Sequence, residues 1–233
     1  MAPQRILAVT DGSAASASAL RLILNVARSW NLDFKSDCLT HVEAAKLLEC
    51  NDPYDLMLYF RPARDCADDS RGSIPPAMIS RGRCPIVVFR SPFSGFNRIV
   101  VAARVDGHLD RLLEWGAAWS ERLDLPLAVI SAARTARQLT CQVRAVEGSL
   151  SRLGIRARLS RFRCSAGEFA AKMEATDLLL AGASGRASLS GRRTGDLTQD
   201  LIRMAPCAIG FLPAPVEAAP DSALVCRAGL RDN

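Results

Sequence analysis

Histidine is nearly missing from this chain: His41 and His108 are the only two in 233 residues. Lysine is almost as scarce. Lys35, Lys46 and Lys172 stand alone, so 27 of the 30 basic residues are arginine. Aromatics supply only 6% of the residues. Each shortage excludes something. With two histidines, and no C-x-x-C pair among the eight cysteines, the usual zinc spacings are defeated and a disulfide framework has little support. Buried or incidental thiols in a reducing compartment account for the cysteines, and metal or redox chemistry is not expected. No apolar stretch approaches the roughly 18 charge-free residues that a membrane helix needs, so no membrane span is expected. The opening Met1-Ala2-Pro3-Gln4-Arg5 runs straight into a strand-like segment, without the charged and apolar regions of a signal peptide. The expected location is the cytoplasm. The sequence also lacks a G-x4-G-K-[ST] phosphate loop, an H-E-x-x-H helix and a G-x-S-x-G elbow. No enzyme is expected, although slow phosphate hydrolysis by positioning and charge alone stays open.

What is present is a folding chain. With 49% hydrophobic and 23% charged residues it can build a real core, as one large domain or two small ones. The net charge of +6 suits anionic partners. The basic residues are scattered, however, without a run of five and with few aromatics among them, so nucleic acid is not an expected partner.

Compared with itself, the chain repeats. Arg5-Ile6-Leu7-Ala8-Val9 returns as Arg98-Ile99-Val100-Val101-Ala102, at an offset of 93. Each run precedes a small-residue turn and a helical pattern, Ala14 to Trp30 and Leu109 to Leu123, with apolar residues recurring at three and four. Leu32-Asp33-Phe34 then matches Leu125-Pro126-Leu127 at the same offset. Further on, Asp55 to Phe60 matches Asp177 to Gly182 at an offset of 122, and Cys84 to Phe89 matches the run from Cys207 at 123. The first half is thus shorter by the difference of the two offsets (122 − 93), and the gap between Phe34 and Asp55 has room for one missing strand and helix. Strands alternating with helices predict an α/β fold with a parallel sheet, built twice. The expected units are residues 1–92 and 97–213, joined through Phe93 to Asn97, with a loose tail over 214–233.

These residues carry a family resemblance. Ile6-Leu7-Ala8-Val9-Thr10-Asp11-Gly12-Ser13, followed by a turn and a helix, resembles the opening of a universal stress protein domain. Gly182-Ala183-Ser184-Gly185, nine residues, then Gly195-Asp196 resembles that family's nucleotide loop, G-x2-G-x9-G-[ST]. Ala205-Pro206-Cys207-Ala208-Ile209 is similar to the approach to its last strand. The resemblance implies two tandem Rossmann-like domains with open parallel sheets. It also implies that Pro85 to Phe89 and Ala208 to Leu212 pair within one chain as an intramolecular pseudo-dimer. It implies ATP or AMP as ligand, with Mg only as the companion of ATP, and a regulatory role exerted on a protein partner; a homodimer stays open. Glycines let a backbone approach phosphates, and a helix starting near Gly195 would aim its N–H groups at an anion. Arg186, Arg192 and Arg193 could add charge-assisted bonds.

The two halves depart from the pattern in opposite ways. The first keeps Asp11 but places Phe60, Ala63 and Ser73 where the three glycines belong, and Pro75-Pro76 would disturb the next helix. It is read as non-binding. The second keeps the loop glycines Gly182, Gly185 and Gly195, but Arg104 replaces the adenine-side aspartate and Asp196 the usual hydroxyl. Asp106 and Thr194 are nearby substitutes. Expected ligand contacts are therefore Gly182, Gly185, Arg186, Gly195, Asp196 and Arg104. AMP is disfavoured less than ATP by the carboxylate. The competing reading is an interaction or assembly protein on the same fold, binding no nucleotide. His108, just past the strand of the second half, is read as a turn residue, and the tryptophans Trp30, Trp115 and Trp119 as packing or an interface.

Overall fold

The runs Leu56-Met57-Leu58-Tyr59-Phe60 and Ile86-Val87-Val88-Phe89 are apolar without alternation, as strands buried on both faces must be. Both are buried throughout. The computed structural model of the chain describes residues 5–10, 17, 20–21, 24, 33–38, 55–61, 84–90, 93–104, 108–182, 201–202 and 204–213. The strands are β1 (Arg5–Thr10), β2 (Asp33–Cys38), β3 (Leu56–Arg61), β4 (Ile86–Arg90), β5 (Arg98–Ala103), β6 (Leu127–Ala133), β7 (Arg158–Arg163), β8 (Asp177–Gly182) and β9 (Ala208–Leu212). The helices are α1 (Leu109–Leu123), α2 (Ala136–Leu153) and α3 (Ala166–Ala170). Ala17, Leu20, Arg21 and Leu24 are also helical, inside the span predicted from periodicity. All nine strands form one sheet, in the order β2-β1-β3-β4-β9-β8-β5-β6-β7. The fold is mixed α/β, with helices packed on a mostly parallel sheet.

The strand registers repeat. Arg5 pairs with Asp33 and Ile99 with Leu127, partners equally far apart along the chain in both cases. On its other side β1 pairs Ile6 with Leu56, while β5 pairs Ile99 with Leu178, a more distant partner. The excess equals the difference between the two sequence offsets, 122 and 93. It arises before β3, on the side where β7 extends the second half beyond β6. Residues 39–54, where a counterpart of β7 would have to lie, are outside the described residues.

Every neighbouring pair is parallel except one. β4 runs antiparallel to β9, with Ile86 opposite Phe211, Val87 opposite Gly210 and Val88 opposite Ile209. The pairing covers two apolar strands that would otherwise be open edges, which invite association with other chains. The connector beside it is packed on the core. Phe89 stacks on Phe60 at 4.8 Å between ring centres and meets Phe93 at 5.0 Å, while Phe93 meets Phe96 edge-on at 4.8 Å.

Each face of the sheet has its own core. On one, α1 and α2 bring Leu112, Leu113, Trp115, Trp119 and Val146 onto Val101, Val129 and Leu180, and the cluster continues through Ile6, Leu58, Val87 and Phe89. Trp115 and Trp119 meet at right angles, 6.3 Å apart, as packing residues. Two glycines make room here. A Cβ on Gly116 would come within 2.5 Å of Val101 Cγ2, and one on Gly210 within 2.8 Å of Trp115 and 2.7 Å of Leu180. The other core joins Phe169, Met173, Leu201 and Ile202 to Leu7, Val9, Met57, Ile86, Leu179 and Ile209.

At the amino-terminal end of β8 the carboxylate of Asp177, 1% exposed, accepts two hydrogen bonds from Arg98, at 2.9 and 2.7 Å, and one from the Glu174 amide at 2.9 Å. Burying a charge is costly unless it is paired and hydrogen-bonded, and here it is both. The ion pair ties β5 to β8, the two strands whose opposite ends open on the cleft described next.

Candidate functional site

Strand order changes direction at β5. From β5 the chain proceeds outward through β6 to β7, then returns to add β8 on the other side. In such sheets a crevice opens at the carboxyl ends of the two strands that part. It is present here, as a cavity of about 480 Å³. Its floor is the ends of three strands: Ala102, Ala103 and Arg104 from β5, Ala132, Ala133 and Arg134 from β6, Ala181 and Gly182 from β8. Small side chains at the strand ends leave the space open, and Leu112, Ile130 and Phe169 give it apolar walls.

Local capping sets the remaining wall. Thr135 accepts a hydrogen bond from the Gln138 amide and starts α2 immediately after Arg134, which fixes Arg134 at the strand-to-helix turn. Gln138, Cys141 and Gln142 then fall on one helix face, three and four residues apart, and all line the cavity. Opposite them, Cys164 and Ser165 follow β7. Ser165 is committed to a capping box: its hydroxyl donates to Glu168 Oε2 at 2.9 Å and accepts from the Glu168 amide at 3.3 Å. The Ser165 amide, then its hydroxyl, hold the Glu168 carboxyl below its ordinary range.

Charge in the described lining of the cavity is of one sign. That lining holds Arg104 and Arg134 and no carboxylate. Arg104 is exposed. Gln142 Oε1 is closed off from solvent and has no hydrogen-bond partner among the described residues. A buried acceptor without a donor costs about 1–3 kcal/mol, which a ligand donor would recover. The Cys164 thiol is pushed up, first by burial and then by the charge of Glu168.

Of the predicted contacts, Arg104 and Gly182 lie together in this cavity. Gly182 is not demanded by its surroundings. It does not have a positive φ, and a Cβ there would meet His108 only at an ordinary 3.7 Å. His108 thus stands over the end of β8. Gly185, Arg186, Thr194, Gly195, Asp196 and Asp106 lie outside the described residues, as do Asp11, Ala63, Ser73, Trp30 and His41. Phe60, placed by the offset where a loop glycine belongs, is a buried core residue stacked on Phe89. Sequence reasoning missed Arg134, Gln138, Cys141 and Gln142. The spacing of the last three was a usable signal, since a polar stripe at helical period beside a strand end faces the crevice. Among the described residues no group of three or more His, Cys, Asp or Glu is gathered as a metal site, and no helix is long and apolar enough to cross a membrane.

The architecture matches solved structures. A universal stress protein from Archaeoglobus fulgidus DSM 4304 superposes with a TM-score of 0.63 at 14% identity, covering 90% of this chain and 96% of that one. A putative universal stress protein from Pseudomonas aeruginosa UCBPP-PA14 gives 0.56 at 15% identity, over 90% and 82%. The cytoplasmic domain of a prokaryotic cation chloride cotransporter gives 0.53 at 16% identity, over 89% and 83%. The chain therefore has the universal stress protein fold; at these identities the likeness is one of fold. No family model matches the sequence, and no curated protein matches it.

Proposed function

We propose that this chain is a regulatory protein of universal stress type that binds one adenine nucleotide in its second half and signals the bound state to a protein partner. One observation carries the reading: the cavity at the β5/β8 switch point has two arginines and no described carboxylate in its lining. Such a pocket suits a ligand that is apolar at one end and anionic at the other. Arg104 and Arg134 would hold phosphate oxygens. Gln142, with its orphaned acceptor, would take a donor such as the exocyclic amine of adenine. Gly182, Gly185, Arg186, Gly195 and Asp196 are the further contacts that the resemblance implies, and the Asp196 carboxylate would favour AMP over ATP. Arginine in place of the aspartate at 104 changes how the base is read and adds charge for the phosphate. The proposed role is binding, with the bound state as the signal.

The units 1–92 and 97–213 are read as two copies of one domain, the first having lost a strand, a helix and its binding loop. The repeated registers support this. The antiparallel β4–β9 pairing supports an intramolecular pseudo-dimer in which the first unit serves as a fixed partner. The same pairing favours a second reading, an assembly module that binds no nucleotide.

A thermal melt separates the two. Ligand at a hundredfold above Kd adds about 2.7 kcal/mol, a rise of roughly 5–10 °C for a chain of this length. AMP should raise the melting temperature of the wild type. Arg134→Glu and Gly185→Trp should each remove most of the rise. No shift with millimolar AMP or Mg-ATP would leave the assembly reading.

A further inference from the structure

Four cysteines are described, all free: Cys84 and Cys207 are buried, Cys164 is half-buried and Cys141 is exposed. The two that solvent reaches both line the cavity at the ends of β5, β6 and β8, one from α2 and one from the turn after β7. Arg104 and Arg134 line the same cavity, without a described carboxylate to offset them. We infer that this cavity is also a thiol-modification site, at which Cys141 exchanges with a low-molecular-weight anionic disulfide drawn in by Arg104 and Arg134.

The exchange is balanced as written. The Cys141 thiol gives its proton to solvent, and the thiolate attacks one sulfur of the disulfide. A Cys141–sulfur bond forms, the original S–S bond breaks, and the second half leaves as a thiolate that takes up a proton. Cys141 is oxidised and the departing half is reduced. Reactive thiols occupy exposed, electropositive surroundings, whereas buried ones are inert. Cys141 is exposed and shares the cavity lining with the two arginines. Cys164 is held back because burial and Glu168 push its thiol up. Both arginines would otherwise meet the phosphates of a nucleotide, so an adduct on Cys141 would occupy the site proposed above. This part rests on the nucleotide reading; the chemistry at Cys141 does not.

The full chain is incubated with glutathione disulfide, which is anionic, or with cystamine, which is cationic, and the adduct is located by peptide mass mapping. One glutathionyl group on Cys141 is expected, absent from Cys141→Ser. In Arg104→Glu/Arg134→Glu the rate with glutathione disulfide should fall about tenfold relative to that with cystamine, as expected of electrostatic steering. Continued protection of Cys84 and Cys207 shows that the variant is folded. A first adduct at another cysteine, or a rate ratio untouched by the double charge reversal, overturns the inference. AMP should slow the reaction at Cys141. Failure of AMP alone, with the charge dependence intact, would count against the nucleotide reading and leave the modification site standing.

Discussion

The two halves of this sheet start from matching strands and end at different sites. β1 and β5 open on Arg5 and Arg98, and their neighbours β3 and β8 follow Asp55 and start at Asp177. The two carboxylates differ in burial: Asp177 is buried under the Arg98 side chain, while Asp55 is exposed and accepts from the Arg5 amide at 3.0 Å. At the other end of these strands the contrast is larger. β8 finishes in Ala181-Gly182 and leaves a cavity, whereas β3 finishes in Tyr59-Phe60-Arg61, with Phe60 filling the core against Phe89. At matching places on the two strands, a large aromatic packs into the core and a glycine borders the cavity.

That contrast can be broken where it is strongest. Asp177→Ala strips Arg98 of two charged hydrogen bonds and leaves the Glu174 amide without its acceptor, and should cost about 2–3 kcal/mol. Asp55→Ala, at an exposed site, should cost less than about 1 kcal/mol. Urea denaturation of both variants measures the difference, and equal costs would contradict it.

The facing pair Val87 and Gly210 gives the next effect. They sit opposite each other across the β4–β9 ladder. Gly210→Val would press into Trp115 and Leu180 and should destabilise by about 2 kcal/mol through overpacking. Val87→Ala, on a fully buried residue, should cost a similar amount through the cavity it leaves. Adding volume on one strand and removing it from the other should therefore act in the same direction, as the two urea midpoints would show.

A smaller effect is chemical. Burial pushes the Cys84 thiol up to about 11 and the Cys207 thiol up to about 12. Both stay protonated well above the pH at which an unfolded thiol ionises. Their contribution to stability is full below that ordinary value and is lost as pH rises through the folded values. Of the four described cysteines, iodoacetamide at pH 8 should label Cys141 first, Cys164 slowly, and Cys84 and Cys207 only in denaturant. Early labelling of either buried thiol in the native protein would contradict their equivalent packing in the two halves.

Much of this frame was legible in the residues. The offsets of 93, 122 and 123 return as strand registers because a ladder can shift only by whole residues, and a one-residue slip would turn every core side chain outward. α1 spans Leu109–Leu123, the range its apolar period marks. Arg104 and Gly182 were legible as cavity-lining residues because they lie at strand ends that a motif can mark. Arg134 was not, while Gln138, Cys141 and Gln142 left only a polar stripe at helical spacing. That this stripe meets the ends of β5 and β8 is made by the sheet order, which no local pattern encodes. Gly182 shows the reverse limit. It matches a motif glycine, yet neither its backbone nor its neighbours require one.

The most direct measurement is a calorimetric titration of the full chain with AMP, read for stoichiometry. The proposed single nucleotide site, in the second half, predicts one AMP per chain, with binding lost in Arg134→Glu. Two sites per chain, or one site that survives Arg134→Glu unchanged, would contradict it.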